Sequence, residues 1–199
     1  QNVVNHLLQL DIPPDKPLRV WIQDEHRYGL ISTVRRCWTV TGHRPTAPVQ
    51  MKYRWGYVSG AAEVLKGEVQ FLYLPTVSLD HSRLFIQQLV DTDPEAIHLV
   101  FWDQAGFHPK PDDPQLPEQV RLIPLPPYSP ELNAMENLWD PVKRRISNSV
   151  WETLDAIESA ISEVLKPFWE FPERVWSLLG DSWLTRGVKM FLGLRKAII

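Results

Sequence analysis

The chain has 199 residues, of which 44% are apolar, a formal net charge of −3 and a single cysteine, Cys37. This length and apolar content suit one domain with a substantial core. One cysteine excludes an internal disulfide framework and a zinc site made of cysteine pairs. No run of about 18 apolar residues is present to cross a bilayer, so we expect no membrane partner and a cytoplasmic location.

Residues 1–17 predict a short helical segment and then a turn-rich linker, DIPPDKP, which enters the main domain at residues 18–199. Apolar and polar residues alternate from Leu18 onward, which predicts a strand. Asp24 lies on the apolar face of that strand, in register with Leu18, Val20 and Ile22.

Further strand patterns cover residues 51–61 and 68–74, and together with the first strand they predict an antiparallel three-stranded start. Ser78 is suited to cap a helix that follows. Residues 97–103, IHLVFWD, form an unbroken apolar run that predicts a strand buried on both faces and parallel to the first. Residues 120–123 predict a fifth strand, so the order of elements predicts an α/β layer with a mixed sheet.

The second half of the chain is predicted to be mostly helical. Ser129 and Pro130 suit the N-cap and first position of a helix, in which Pro141 should cause a kink or a division. Residues 153–165 predict a second amphipathic helix, and residues 173–199 a helical tail. The first of these helices carries an apolar stripe at helical spacing, made of Leu132, Met135, Trp139, Val142 and Ile146.

Three acids stand where a carboxylate needs a partner: Asp24 and Asp103 end apolar strands, and Glu136 lies beside the helix stripe. If the two strands are neighbours, the three carboxylates converge and repel one another, and divalent cations relieve that repulsion. Two Mg²⁺ or Mn²⁺ ions in such a site support phosphodiester displacement. Each acid also has an ordinary interpretation, since the aspartates can cap turns and Glu136 can pair with Lys143 or Arg144.

The segments WIQDEHRYG, FWDQAGFH and LPPYSPELNAMENLWDPVK resemble the signature blocks of bacterial insertion-sequence transposases related to the mariner superfamily, the DDE superfamily endonucleases. Asp24, Asp103 and Glu136 fall on the catalytic positions of that family, with Glu136 lying 33 positions after Asp103. The resemblance covers roughly residues 18–165. It implies an RNase H-like fold of the retroviral integrase type, with a mixed five-stranded sheet flanked by helices.

By this resemblance the chain is the catalytic domain of a DNA transposase, which cleaves transposon ends and transfers the exposed 3′ hydroxyl into target DNA. The resemblance implies double-stranded DNA as partner, a homodimer when assembled on DNA, and a location at the bacterial nucleoid. Family members carry a helix-turn-helix domain upstream, for which residues 1–17 are too short. The net charge of −3 is unusual for a free-standing DNA-binding protein. It would be explained if this chain is a fragment, or a half encoded separately from an N-terminal part that supplies most of the phosphate contacts.

Residues around the three acids match further family positions. We expect Glu25, on the opposite side of the strand from Asp24, to support the site together with His108 and Asn133, or to position substrate. A loop histidine without a catalytic part is the alternative for His108. The basic residues expected to contact DNA, or otherwise to be solvated, are Lys143, Arg144, Arg145, Arg35, Arg36 and Arg44.

Two other functions stay open. One is an RNase H-like nuclease without strand transfer, which the third signature segment disfavours. The other is a catalytically inactive, domesticated transposase remnant, which the presence of all three acids disfavours. Gln104, Gly106 and Ala134 depart from the family pattern and keep this second alternative open. A glycine-rich phosphate loop, a nucleophile elbow and a zinc-protease helix are all absent from the sequence.

Overall fold

A computed structural model describes residues 2–127, 129–180 and 183–198 of the chain. Tyr128, in the third signature segment, lies outside the described residues. The strands are β1 (Leu18–Ile31), β2 (Met51–Glu63), β3 (Val69–Leu74), β4 (Ile97–Trp102) and β5 (Val120–Pro124). The helices are α1 (Asn2–Gln9), α2 (Leu79–Asp91), α3 (Met135–Ile146), α4 (Leu154–Glu170), α5 (Pro172–Leu179) and α6 (Trp183–Ile198).

The five strands form one mixed sheet in the order β3-β2-β1-β4-β5. The central strand, β1, pairs antiparallel with β2 and parallel with β4, as the sequence predicted. Strand alternation sends Val20 and Ile22 to one face, where they pack in a core that includes α3 and α4. It sends Trp21 to the other face, against α2. Both faces of the sheet are therefore covered, and the predicted layered fold is confirmed.

Helix α2 returns the chain so that β4 can lie parallel to β1. Ser78 begins this helix as predicted, because its hydroxyl oxygen accepts a hydrogen bond of 3.2 Å from the backbone N–H of His81. Apolar residues of α2, including Phe85, Ile86 and Leu89, are buried against the sheet. The helix thus fixes where β4 ends relative to β1.

The helix predicted to begin at Pro130 differs from the structure in two ways. Pro130–Leu132 form only a 3₁₀ turn, because Asn133 is extended and its Oδ1 accepts a hydrogen bond from the backbone N–H of Met135, where α3 starts. The predicted division at Pro141 is wrong, since α3 continues as one helix through it. Pro141 has no backbone N–H, so the carbonyl of Asn137 has no helical hydrogen-bond donor. Asn137 is exposed, so water can hydrate that carbonyl.

The N-terminal segment packs against the end of the chain. Leu7 of α1 is 1% exposed within the core, and α1 contacts α6. The guanidinium of Arg195 donates hydrogen bonds to the carbonyls of Pro13 and Lys16. The boundary between a linker and the main domain at residue 18 stays a prediction. None of the described helices has the length and apolar character needed to span a membrane.

Candidate active site

Asp24 and Asp103 lie at the same edge of the sheet. The parallel pairing of β1 with β4 extends to Ile22 opposite Phe101. Two further residues along each chain bring Asp24 opposite Asp103, and residues two apart on a strand share a face. The strand pairing therefore places both carboxylates just beyond the carboxyl end of the β1–β4 pairing, although β1 does not end at Asp24 as predicted but continues to Ile31 beside β2.

Glu136 joins them from the first turn of α3. The three acids line a cleft of about 510 Å³, whose floor and walls also include the Pro-rich connection after β5 and Asn133. The helix is held over the sheet by Met135, Leu138 and Trp139, which are at most 1% exposed. Packing of α3 against the sheet thus carries Glu136 to the aspartates.

Each acid has its own partner in this structure. Trp139 donates a hydrogen bond of 3.0 Å from Nε1 to Oδ2 of Asp24. The backbone N–H of Ala105 donates one of 2.9 Å to Oδ1 of Asp103. Lys143 donates one of 2.7 Å from Nζ to Oε2 of Glu136, which is the pairing that the ordinary interpretation of Glu136 expected. Glu136 therefore lies at the rim of the cleft, with 43% of its side chain exposed.

The surroundings of Asp24 disfavour its ionised form. Burial, together with the negative charges of Glu25 and Glu136, raises the pKa of Asp24 from 3.8 to about 7. The hydrogen bond from Trp139 acts in the opposite direction and does not compensate. The cleft therefore has too little positive charge to balance the carboxylates at the point where they meet.

The donor set fits a divalent cation, although the side chains do not form a closed cage. Among the described residues, no group of three His, Cys, Asp or Glu side chains stands close enough to hold a metal ion. Three carboxylates on one cleft nevertheless offer the hard oxygen ligands that Mg²⁺ and Mn²⁺ prefer. A cation would also remove the electrostatic cost that raises the pKa of Asp24. The residues that would hold it are Asp24, Asp103 and Glu136.

His108 connects Asp103, which directly follows β4, to Glu25 of β1. Its Nδ1 lies 3.0 Å from Oδ1 of Asp103, and its Nε2 lies 3.2 Å from Oε1 of Glu25. Burial lowers the pKa of His108, but the hydrogen bonds to Asp103 and Glu25 outweigh it and raise that pKa to about 10. The imidazolium is 3% exposed and its ring stacks on Trp102 at 4.4 Å. Its geometry suits holding Asp103 in place better than touching a phosphate.

Glu25 and Asn133 also lie next to the site rather than in its centre. Glu25 projects from the opposite face of β1 and accepts a hydrogen bond of 2.6 Å from Nε2 of Gln23. Asn133 is buried and donates a hydrogen bond of 2.9 Å from Nδ2 to the carbonyl of Gln23. This bond ties the entry of α3 to the strand that carries Asp24.

Trp139 was assigned to the core by sequence reasoning, and its bond to Asp24 was missed. The residue is 1% exposed, as a core residue should be, and it also stacks on the His26 ring at 5.6 Å. The available signal was its position three residues after Glu136, which places both on adjoining sides of one helical turn. That spacing cannot tell which atom the indole N–H meets.

The basic residues at the end of α3 are partly neutralised. Asp140 pairs with Arg35 and with Arg144, each at 2.9 Å. Arg145 lies 3.8 Å from a carboxylate oxygen of Glu163, and its guanidinium is over the ring of Trp151. Arg36 and Arg44 are exposed in the connection between β1 and β2. Assignment of these residues to DNA contact stays a prediction.

Comparison with known proteins shows the family. The chain matches the family described as DDE superfamily endonuclease over residues 19–158, and it belongs to that family. It is 30% identical over 136 residues to the uncharacterized protein y4pE/y4sA of Sinorhizobium fredii, which covers 66% of this chain and 98% of that protein.

Solved structures of the Mos1 transposase share the fold. The pre-cleavage Mos1 transpososome superimposes with a TM-score of 0.58 and 13% identity over 81% of this chain and 55% of that chain. The Mos1 mariner paired end complex with Mn gives a TM-score of 0.53 and 14% identity over 89% of this chain and 58% of that chain. The chain thus spans a little over half of the Mos1 chains, and its fold is the RNase H-like fold expected from the sequence.

Proposed function

We propose that this chain is the catalytic domain of a DNA transposase. It cleaves phosphodiester bonds at transposon ends and joins the exposed 3′ hydroxyl to target DNA. The observation that carries the proposal is the single cleft shared by Asp24, Asp103 and Glu136, where the parallel pairing of β1 with β4 ends. Membership of the DDE superfamily endonucleases supports a nuclease, and the fold shared with the Mos1 transposase supports strand transfer.

The three acids act as the ligands of two divalent ions, Mg²⁺ or Mn²⁺. When bound, such ions supply an activated water or hydroxyl nucleophile and neutralise the charge on the leaving oxygen. Asp103 is oriented by His108, which in turn is held by Glu25. Asp24 is oriented by the indole N–H of Trp139. These bonds fix two carboxylates before any substrate arrives, which reduces the reorganisation needed in the reaction.

Lys143 has two roles in this proposal. Without an ion, its ammonium neutralises Glu136 at 2.7 Å. A divalent ion held by Glu136 would release the ammonium of Lys143, which would then be available to a DNA phosphate. The residue thereby links ion binding to DNA binding, about two turns of α3 beyond Glu136.

The partners follow from the proposed reaction. Double-stranded DNA, both transposon end and target, is the substrate, with Arg144, Arg145, Arg35, Arg36 and Arg44 as further phosphate contacts. The Mos1 structures are described as paired-end complexes. By analogy we expect two copies of this chain to assemble on DNA. The site of action would be the nucleoid in the bacterial cytoplasm.

The test uses two reactions that need no knowledge of the end sequence. Nicking of supercoiled plasmid in Mn²⁺ reports hydrolysis. Joining of a labelled duplex with a free 3′ hydroxyl to the same plasmid reports strand transfer. We expect both from the wild type and neither from Asp24→Asn, Asp103→Asn or Glu136→Gln, whereas Glu118→Gln, an exposed acid at the start of β5, should retain both.

The outcomes separate the candidate functions. Nicking without joining would replace the transposase by an RNase H-like nuclease. Failure of both reactions in a wild-type protein that binds Mn²⁺ would indicate a remnant that has lost catalysis. Cleavage retained by any of the three carboxylate variants would remove that residue from the active site.

A further inference from the structure

A second groove lies beside the active-site cleft. It has a volume of about 390 Å³ and runs along residues 26–33 of β1 and the loop after it. Because consecutive residues of β1 line the groove, the groove borders the edge of this strand and not only one of its two faces. The edge is free because β4 pairs with β1 only from Leu18 to Ile22. The end of α3 and the loop after it form the opposite wall, with Lys143, Ser147 and Trp151.

The groove and the cleft are neighbours. Asp24 lines the cleft and His26, two residues later on the same face of β1, lines the groove. Glu136 lines the cleft and Lys143, which donates a hydrogen bond to it, lines the groove. A strand of nucleic acid whose phosphate reaches the carboxylates therefore has the groove within reach of its neighbouring nucleotides.

The chemistry of the lining is basic and aromatic. Arg27, Arg35 and Lys143 contribute cations, and no carboxylate is among the described residues that line the groove. Trp55 is 38% exposed and carries the guanidinium of Arg27 at 5.1 Å from its ring centre. Trp151 forms a second ring at the other wall. Aromatic rings and guanidinium planes next to a row of cations are the means by which proteins hold unpaired nucleotides.

Gly29 keeps the groove open to the Trp55 ring. The two residues are paired across β1 and β2. A Cβ at Gly29 would lie 2.7 Å from the carbonyl oxygen of Arg54 and 3.4 Å from Cβ of Trp55, so a larger residue would displace the β2 backbone next to Trp55. The absence of a side chain at Gly29 thus leaves the indole close to the strand edge.

We propose that this groove binds one unpaired nucleotide of the DNA strand that passes through the cleft. The base stacks on the Trp55 and Arg27 pair, and the phosphate lies against Arg35 and Lys143. The inference rests on the proposed function for the identity of the strand. The volume is at the lower end of that of ligand sites, which suits a single nucleotide rather than a duplex.

A peptide that adds to the free edge of β1 is the competing occupant, since strand edges recruit extended chains. The lining favours the nucleotide for two reasons. The groove presents cations without an acidic lining residue, and it lies beside a cleft of carboxylates, which suit ions rather than peptide. Arg35 is already paired with Asp140 at 2.9 Å, and a phosphate would compete for the same guanidinium.

The test compares two labelled single strands by fluorescence anisotropy in metal-free buffer. One is an eight-nucleotide oligothymidylate, and the other has the same backbone with abasic sites. We expect the wild type to bind the thymidylate at least about fivefold more tightly, because stacking on one aromatic residue is worth at least that factor. Trp55→Leu should bind both strands alike, at the abasic affinity. Trp38→Leu, which removes a fully exposed tryptophan outside the groove, should keep the preference.

A charge variant tests the phosphate contact separately. Arg35→Gln should weaken binding of both strands by a similar factor and reduce the dependence of affinity on salt by about one ion. Thermal melts of each variant show whether it has folded. A wild type without base preference, or a Trp55→Leu variant that keeps the preference, overturns the groove assignment.

These outcomes are independent of the proposed function. Loss of base preference in Trp55→Leu needs no ion and no cleavage, whereas the transposase proposal is tested by the dependence of plasmid nicking on Glu136. If the base preference is not observed, the assignment of the carboxylate site is unaffected. If the carboxylate variants retain cleavage but the base preference is observed, the groove is a single-strand binding site without the proposed catalytic role of the cleft.

Discussion

Replacement of Asp24 by asparagine should stabilise the metal-free protein. The pKa of Asp24 is raised from 3.8 to about 7, and a change of that size costs the folded state about 4 kcal/mol when the carboxylate is ionised. Partial solvent screening reduces the expected gain of Asp24→Asn to about 2–4 kcal/mol. For a chain of this size, that gain corresponds to about 5–10 °C in Tm.

The expected stabilisation by Asp24→Asn depends on pH. Because the folded pKa of Asp24 is raised, the cost is absent below the unfolded pKa of 3.8, grows as the pH rises, and is complete above about 7. Thermal melts in chelator at pH 8 should therefore show a higher Tm for Asp24→Asn than for wild type. The difference should disappear near pH 4.

Asp103→Asn is the matched control, with the opposite expected sign. The hydrogen bond from His108 lowers the pKa of Asp103, so its ionised form stabilises the folded state above the unfolded pKa. That stability is lost as the pH falls through the folded pKa. Asp103→Asn should lower Tm at pH 8. Two aspartate substitutions that shift Tm in the same direction would refute the electrostatic description of the cleft.

Three further predictions concern ion binding, and calorimetry measures each. Below pH 7 the affinity for Mn²⁺ should fall by about tenfold per pH unit, because the proton on Asp24 must leave before an ion can bind, and a flat profile would contradict this. Trp139→Phe removes the Nε1 donor to Asp24 and should weaken Mn²⁺ binding about tenfold, since a hydrogen bond to a charged group is worth about 1.5–3 kcal/mol. Unchanged affinity would remove Trp139 from the site. Lys143→Met removes the ammonium that competes for Glu136, so it should bind Mn²⁺ more tightly and DNA more weakly, and weaker Mn²⁺ binding would oppose that role.

The sheet was largely predictable from the sequence. Alternation along residues 18–24 and the unbroken apolar run at residues 97–103 distinguish a strand from a helix by period and length. Their parallel pairing follows from the helix between them, which begins at Ser78. Asp103 directly follows its strand as expected, whereas β1 continues beyond Asp24 to Ile31 as a partner of β2. The meeting of the two aspartates was predictable because they follow the paired parts of these strands at matching positions.

The contacts inside the site were not predictable in the same way. The periodicity of α3 places Glu136 and Trp139 near the sheet, but the bond from Trp139 to Asp24 depends on the packing depth and rotation of the helix. The break before Met135 depends on a local hydrogen bond of Asn133 that competes with the helix. Periodic patterns report which face is buried, and they carry no information on which polar atoms meet there.

The position of His108 shows the same limit. The sequence placed it five residues after Asp103, in a loop that could turn toward solvent or toward the protein. In the fold its ring is buried against Trp102 and bridges Asp103 and Glu25, which come from different strands. Contacts between side chains 83 positions apart in the chain require the tertiary structure.

The most direct test of the central claim is calorimetric titration of Mn²⁺ into the wild type, Glu136→Gln and Glu118→Gln. If the three carboxylates hold the ions, the wild type and Glu118→Gln should bind Mn²⁺ alike, and Glu136→Gln should bind it at least about tenfold more weakly. Equal binding by all three proteins would contradict the account, because Glu136 would then not be a ligand of the ion.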